Sequence, residues 1–404
     1  MCVDEWKEWK FEALTDIWTG DADQGNNRLI PTGLLGSIRW WFEVLVRGLG
    51  GKACDPTDRE GVRCPSHHKR PVEPGHHCVV CELFGCADWA RKFRLMVLDE
   101  NGQVIQDRIR ARQTFVLRFI PLRPIRDKEW CLLCATLRLI AEYGAIGGKT
   151  VFKPSEEWGI ADLGKNDLDD SSGQVKVQGN RRGLPLRQND IILEIEGNRI
   201  SSLSDIEQIL QGKRHGEPVK VKVGRSNGVL EIKTWAGKRH HQDFGLVNLI
   251  QSPQNLDCSR EQVEAYVRSS QWRTDFDDTP FAWASLQNFW YVKGRYLARQ
   301  ANNTSTFNRV IGRPEQKDKS KEGDSWLAGS QQESKQESKK VFSFKNGNGG
   351  GLTYGFVKPG LVDFEEMKNL LKQAWPGFQL ENEFQTGEQI VERLFQCSNK
   401  EEGA

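Results

Sequence analysis

Residues 28–48 constrain the fold most strongly and read RLIPTGLLGSIRWWFEVLVRG. Pro31 fixes the backbone before a helix, Thr32 is placed to cap its first amides, and Gly48 ends it. Apolar residues recur at three-and-four spacing and predict one buried helix face, formed by Leu34, Leu35, Ile38, Trp41, Leu45 and Leu49. The unpaired backbone amides at the start of such a helix favour an anion such as a phosphate.

The elements around this helix predict an α+β unit. Strands are expected at 10–18, 92–98 and 112–122, a buried helix at 129–143 and another extended piece at 151–152. The order strand, helix, two strands, helix, strand is typical of a ferredoxin-like unit, with both helices on one face of the sheet. Cys131 and Cys134 lie within the apolar helix, where packing in the core is their expected role.

Composition limits the class of protein. A chain of 404 residues with 37% hydrophobic content is expected to hold two or three domains and a polar segment, which we place at 313–340 as a flexible loop. The 57 basic and 55 acidic residues nearly cancel, so total charge argues neither for nor against nucleic acid. No apolar run reaches membrane-spanning length, and we expect a cytoplasmic protein with no membrane partner.

Half of the ten cysteines crowd one window, residues 52–91. In Cys78-x-x-Cys81 two thiolates can converge on one ion, and Cys54 and Cys64 can complete a closed tetrahedral site, with His67 as an alternative ligand beside Cys64. The segment has few apolar residues before Val79, so it needs a cross-link, such as a bound metal ion, in order to fold. We therefore predict an inserted zinc knuckle that holds structural Zn²⁺.

Residues 156–236 have a different character. The run 183–198 (GLPLRQNDIILEIEGN), followed by a capped helix at 201–211, resembles a PDZ domain of the bacterial HtrA type. Such domains add an extended peptide beside their helix. The resemblance implies a groove formed by Trp158, Gly159, Ile160, Ile206 and Leu210, while a degenerate PDZ used as a spacer or docking surface is the alternative.

The chain on both sides of this insertion resembles the large capping subunit of the Cmr complex, the type III-B CRISPR effector, which belongs to the RAMP superfamily. The resemblance is carried by 18–21 (WTGD), 28–41 (RLIPTGLLGSIRWW), 81–85 (CELFG), the glycine run 144–150, 291–297 (YVKGRYL) and 340–344 (KVFSF). It implies two ferredoxin-like, RRM-like halves, at 1–155 and 237–404, on either side of the PDZ-like insertion.

The resemblance further implies a non-catalytic RNA-binding subunit that caps the 3′ end of the guide and helps capture target RNA in antiviral defence. Its partners would be other Cmr subunits, guide RNA and single-stranded target RNA. Glycine turns let a phosphate backbone approach closely, basic side chains neutralise it, and Trp40 offers a stacking surface. The candidate RNA-binding residues are Arg28, Thr32, Gly36, Arg39, Trp40, Gly147, Gly148, Lys149, Arg295 and Arg309.

Two other functions remain open. Related RAMP proteins process guide RNA, so a RAMP endoribonuclease is one, although the sequence places no histidine-rich or paired-carboxylate set near the RNA-facing elements. The other is an adaptor whose PDZ-like insert recruits a peptide partner to the complex.

Overall fold

The computed structural model describes residues 6–19, 28–55, 63–147, 156–157, 159–164, 166–179, 184–213, 217–237, 239–240, 244–254, 256, 258–276, 282–297, 305–313, 325–330, 337–345 and 351–396. The chain divides into two compact units, one comprising Met1–Lys153 with Gln242–Ala404 and the other Pro154–His241. Within the described ranges, no helix has both the length and the apolar character needed to cross a membrane.

The elements before the insertion are β1 (Lys7–Ala13), α1 (Pro31–Gly48), α2 (Val79–Phe84), β2 (Phe93–Leu98), β3 (Thr114–Pro121) and α3 (Asp127–Tyr143). The second unit contains β4 (Glu156–Glu157), β5 (Leu168–Asp169), β6 (Val175–Val177), β7 (Ile191–Ile195), β8 (Asn198–Arg199), α4 (Leu203–Leu210), β9 (Pro218–Arg225), β10 (Gly228–Trp235) and β11 (Arg239–His240). The remaining elements are β12 (Val247–Gln251), α5 (Arg260–Val267), β13 (Phe289–Lys293), α6 (Thr306–Val310), β14 (Val341–Lys345), β15 (Gly351–Phe356), α7 (Phe364–Ala374), α8 (Leu380–Glu383), β16 (Phe384–Thr386) and α9 (Gly387–Gln396).

The first unit contains two sheets that share one connectivity. Antiparallel strands lie in the order β12-β1-β3-β2 in one sheet and β16-β13-β15-β14 in the other. In both sheets the chain runs strand, helix, strand, strand, helix, strand, with the last strand beside the first. Alternation along β1 buries Trp9, Phe11 and Ala13 on the side where α1 and α3 pack.

Trp41 on α1 joins the two sheets. Its ring lies 5.5 Å from that of Tyr354 and 6.0 Å from that of Phe289, both in the second sheet. Its indole N–H donates to the carbonyl oxygen of Ala145 at 2.8 Å. The predicted stripe is buried except at Leu35, which is partly buried, and residues 41–47 are buried on every side of the helix. The same helix contacts the glycine loop.

The second unit is built around a sheet in the order β10-β9-β7-β6-β5. Helix α4 is capped, as predicted, and the cap is a capping box in which the Ser202 hydroxyl accepts from the amide of Asp205 at 3.3 Å. Strands β4 and β11 pair antiparallel at the base of the unit, so the chain enters and leaves it side by side.

The structure corrects three local predictions. Thr32 does not cap α1: Pro31 occupies the first helical position, Ile30 is the N-cap without a side-chain bond, and the amide of Ile30 donates to the Thr19 hydroxyl at 2.9 Å. The sequence predicts the fourth strand of the first sheet at 151–152, which lie outside the described residues. In the structure this strand is β12, which follows the inserted unit in sequence. Cys131 forms a disulfide with Cys258, since α5 packs against α3.

The loop predicted at 313–340 is also revised in part. Residues 326–328 form a 3₁₀ turn, and Leu327 and Ala328 are buried in the core beneath the second sheet. Lys340 is buried as well, with its Nζ 5.1 Å from the ring centres of both Trp283 and Trp326. Residues 314–324 and 331–336 lie outside the described part of the chain.

Candidate nucleic-acid interface and cysteine cluster

The second turn of α1 contacts the glycine loop, and we call the surface around Gly36, Ser37 and Gly147 the crevice. The amide of Gly147 donates to the Ser37 hydroxyl at 3.1 Å. Gly147 has φ of 106°, and a Cβ there would lie 2.5 Å from the carbonyl oxygen of Trp18, so only glycine fits. Gly36 is exposed, and a Cβ built on it meets nothing within 4 Å. The second turn of α1 is therefore open at Gly36. Gly147 is buried, and the first turn is covered at Gly33, where a Cβ would lie 2.9 Å from the carbonyl oxygen of Thr19.

The predicted cations differ in their surroundings. Arg28 and Thr32 are exposed beside the crevice. Arg295 instead forms an ion pair with Glu383 and donates to the carbonyl oxygen of Gly377 at 3.0 Å. Arg309 reaches the carbonyl oxygen of Gln373 on α7. Arg295 and Arg309 thus hold the second half together, and Gly148 and Lys149 lie outside the described residues.

Trp40 is half-buried. Its ring lies 4.8 Å from the ring of Trp41 and 5.9 Å from that of Phe356 in edge-to-face contacts. These contacts use the indole for packing between α1 and the second sheet. The structure therefore does not present Trp40 as an open stacking platform.

Four buried cysteines converge as the spacing predicts: Cys54, Cys64, Cys78 and Cys81 have ligand atoms within 4.8 Å of one another. The Sγ of Cys54 lies 3.5 Å from that of Cys81 and 3.9 Å from that of Cys78. Tetrahedral zinc with Zn–S bonds of about 2.3 Å separates sulfurs by about 3.8 Å, so the four residues fit a closed zinc site. Burial opposes ionisation of the Cys78 thiol, yet hydrogen bonds from the other three cysteines hold its pKa well below the ordinary value. His67 is exposed and is not part of the cluster.

Arg39 belongs to this cluster and not to the crevice. Its guanidinium donates to the Sγ of Cys81 at 3.4 Å, to the carbonyl oxygen of Gly85 at 3.0 Å and to Glu43 at 3.0 Å. The side chain is 18% exposed. A buried cation beside thiolates compensates their negative charge and fixes the ligand geometry. The prediction of Arg39 as a phosphate ligand is thus replaced by a role at the cysteine cluster, because the helix turns this residue inward.

A buried network of polar and charged side chains extends from the cysteine cluster. His76 and His77 share an Nδ1–Nδ1 contact of 2.8 Å, and His77 Nε2 lies 2.8 Å from a carboxylate oxygen of Glu82. Lys92 bridges Glu82 at 2.6 Å and Glu129 on α3 at 2.7 Å. Burial alone would raise the pKa of Glu82, but bonds from His77 and Lys92 outweigh it and lower that pKa to about 2.

The network of side chains ends on α5, where the Tyr266 hydroxyl donates to Glu129 at 2.6 Å. This network ties the cysteine module to α3 and α5. Sequence reasoning did not find it, and the only signal available was the occurrence of Glu82, Lys92 and Glu129 at otherwise apolar positions.

In the second unit, the residues predicted to line a peptide groove are core residues. Ile160, Ile206 and Leu210 are all buried in one cluster. The stretch 160–162 is a 3₁₀ turn packed against α4, where an added peptide strand would lie in an open groove. Gly159 is packed so closely that a Cβ would lie 2.4 Å from Gly237. Trp158 lies outside the described residues.

Two family models match the chain. The model of the RAMP superfamily matches residues 10–152. The chain carries a RAMP superfamily domain. The model of the PDZ domain matches residues 165–235, so a PDZ domain follows the RAMP domain, as the sequence predicts. No curated protein matches the chain.

Several solved structures are similar to this RAMP-containing chain. A chain of the type III-B Cmr-beta complex bound to cognate target RNA is 13% identical, with a TM-score of 0.25 over 36% of this chain and 52% of that one. Cmr1 from Pyrococcus furiosus is 12% identical, with a TM-score of 0.23 over 36% and 46%. The chain thus spans about half the length of these two structures. Another Cmr-beta chain, from a complex with target RNA, AMPPnP and single-stranded DNA, is 13% identical, with a TM-score of 0.32 over 91% and 98%.

Proposed function

We propose that this chain is a non-catalytic RNA-binding subunit of a type III-B CRISPR effector, which caps the guide 3′ end and helps hold target RNA. The crevice around Gly36, Ser37 and Gly147 carries this proposal. It combines the exposed Gly36, where a phosphate backbone can approach closely, with the exposed Arg28 that precedes the helix. The two sheets with the same strand order support a pair of ferredoxin-like halves.

The cysteine cluster is proposed to hold structural Zn²⁺. Cys54, Cys64, Cys78 and Cys81 would be its ligands, and Arg39 would balance their charge. When bound, the ion supplies a cross-link between segments that are distant in sequence. With four protein ligands no position remains for a substrate, so the role of the ion is structural.

The PDZ domain is proposed to act as a spacer or docking surface. Its candidate groove is filled by Ile160 beside Ile206 and Leu210, so a peptide would have to displace core residues. The side-by-side entry and exit at β4 and β11 allow the domain to be inserted without separating the ends that it joins.

The proposal predicts that the purified chain binds single-stranded RNA in a strongly salt-dependent way and leaves it intact. Each phosphate contact is expected to make the slope of log affinity against log salt about 0.7 more negative, so about three contacts give a slope near −2. Fluorescence anisotropy with a labelled RNA measures the slope, and denaturing gels after incubation in Mg²⁺ or Mn²⁺ measure cleavage.

The control is a chain in which residues 156–236 are replaced by a short glycine–serine linker. We expect its affinity for RNA to lie within twofold of the full chain. A salt-independent affinity would contradict the RNA-holding role, cut RNA would favour the endoribonuclease, and an RNA affinity that depends on the insert would assign binding to the PDZ domain.

A further inference from the structure

A second concave site lies at the opposite end of α1 from the crevice. It is a cleft of about 290 Å³ between the end of α1 and the segment that leads into β13. This volume is close to the lower end of the range for small-molecule sites, about 300–1,000 Å³, and suits one small polar ligand.

The charged side chains that line the cleft are all basic. Arg47 and Lys52 line it, and no carboxylate does among the described residues. The Arg47 guanidinium donates to the carbonyl oxygens of Ala284 at 3.1 Å and Ala53 at 3.5 Å, so it ties α1 to the two segments that contribute the lining residues Ala53 and Ser285. Glu43 lies 3.7 Å from Arg47 but also pairs with Arg39, so one carboxylate is shared between two guanidinium groups.

A third guanidinium stands behind the glycine wall. Gly50 has φ of 84°, and a Cβ there would lie 2.5 Å from Nε of Arg268. That Nε donates to the carbonyl oxygen of Leu49 at 2.8 Å. The glycine therefore allows the Arg268 side chain, which also pairs with Glu264 at 3.3 Å, to pack against the loop that forms one wall of the cleft.

The far wall carries two amide side chains. Gln287 is exposed and Asn288 is half-buried, and both line the cleft. Asn288 Nδ2 donates to the carbonyl oxygen of Trp283 at 3.1 Å, which holds that amide in one orientation. Amides offer a donor and an acceptor together, which is the pattern that reads the edge of a nucleobase.

We propose that this cleft is a second binding site, which takes a single nucleotide with its phosphate toward Arg47 and Lys52 and its base toward Gln287 and Asn288. The same chemistry is offered by a free mononucleotide and by the terminal nucleotide of an RNA. The site is separate from the crevice, so it does not depend on the proposed role of the crevice.

Calorimetric titration of the full-length chain tests the proposal with two probes, 5′-AMP and a short RNA with a 5′-phosphate. Lys52→Glu reverses the charge at the exposed mouth, and Ala282→Trp fills the cleft from an exposed position. Lys128→Glu, on the exposed surface of α3, is the matched charge control. Melting curves establish that each variant is folded.

We expect wild type and Lys128→Glu to bind at least one probe with equal affinity, and Lys52→Glu and Ala282→Trp to bind it at least tenfold more weakly. If the two cleft variants lose affinity for 5′-AMP, the ligand is a free nucleotide. If they lose affinity for the phosphorylated RNA alone, the ligand is the terminal nucleotide of an RNA. Binding of neither probe, or affinities for both that neither variant changes, would overturn the proposal. Gly36→Glu changes the crevice and lies outside the cleft. If this variant weakens RNA binding while Lys52→Glu and Ala282→Trp do not, the RNA binds at the crevice and the nucleotide site is refuted.

Discussion

Cys78→Ser is expected to release the bound metal and to unfold the cysteine module. Among its described residues the module has one helix, of six residues, and four buried cysteines lie together beside it. Structural zinc contributes about 10–16 kcal/mol to the folding of comparable small sites, which is too large a loss for the burial of this segment's apolar side chains to offset. Elemental analysis should find close to one zinc per wild-type chain and less than a tenth of that in the variant.

The matched control is Cys134→Ser, which changes a half-buried thiol outside the cluster. It should retain zinc and a melting curve close to that of wild type. Addition of a strong zinc chelator to wild type should reproduce the Cys78→Ser melting curve. A wild-type protein that is fully folded with no metal would refute the zinc proposal.

Lys92→Met is expected to destabilise the first unit by about 3–5 kcal/mol. Lys92 is 4% exposed and is the cation shared by Glu82 and Glu129, which are 7% and 1% exposed. Its removal leaves two buried carboxylates without a cation between them, and an uncompensated buried charge is what makes such variants costly. Urea unfolding followed by tryptophan fluorescence measures the change.

Two further variants show whether charge is the cause. Lys128→Met removes an exposed lysine and should change stability by less than about 0.5 kcal/mol. Adding Glu129→Gln to Lys92→Met removes one of the two carboxylate charges left without Lys92, and should recover part of the lost free energy of unfolding. If the double variant is no more stable than Lys92→Met, packing of the lysine stem explains the effect and the charge argument fails.

Patterns that are local in sequence predicted the first half of the fold well. Helix α1 follows from the spacing of its apolar residues after Pro31, and strands β2 and β3 follow from runs of residues that favour strands. The four cysteines could be selected because a Cys-x-x-Cys knuckle and a crowded window limit the possible ligands. The RAMP and PDZ domains could be predicted because their motifs are contiguous in sequence, and the family models confirm both.

Features that depend on distant pairing could not be predicted. The last strand of the first sheet comes from residues 247–251, beyond the inserted domain, and no local pattern shows which strand will pair with β1. The disulfide joins cysteines 127 positions apart, and the buried network of side chains joins Glu129 to Tyr266, 137 positions away. Arg39 was misassigned because an arginine on a helix is usually solvated, and only the packed structure shows the thiols beside it.

The most direct test of the central claim compares the RNA affinities of Gly36→Glu and Gly36→Gln. Gly36 lies in the second turn of α1 with space for a side chain, so both variants should fold. The two introduced side chains are similar in size and differ by one negative charge. If RNA phosphates lie in the crevice, Gly36→Glu should bind labelled single-stranded RNA at least tenfold more weakly than Gly36→Gln at low salt. Equal affinities for the two variants would contradict the claim that this crevice holds RNA.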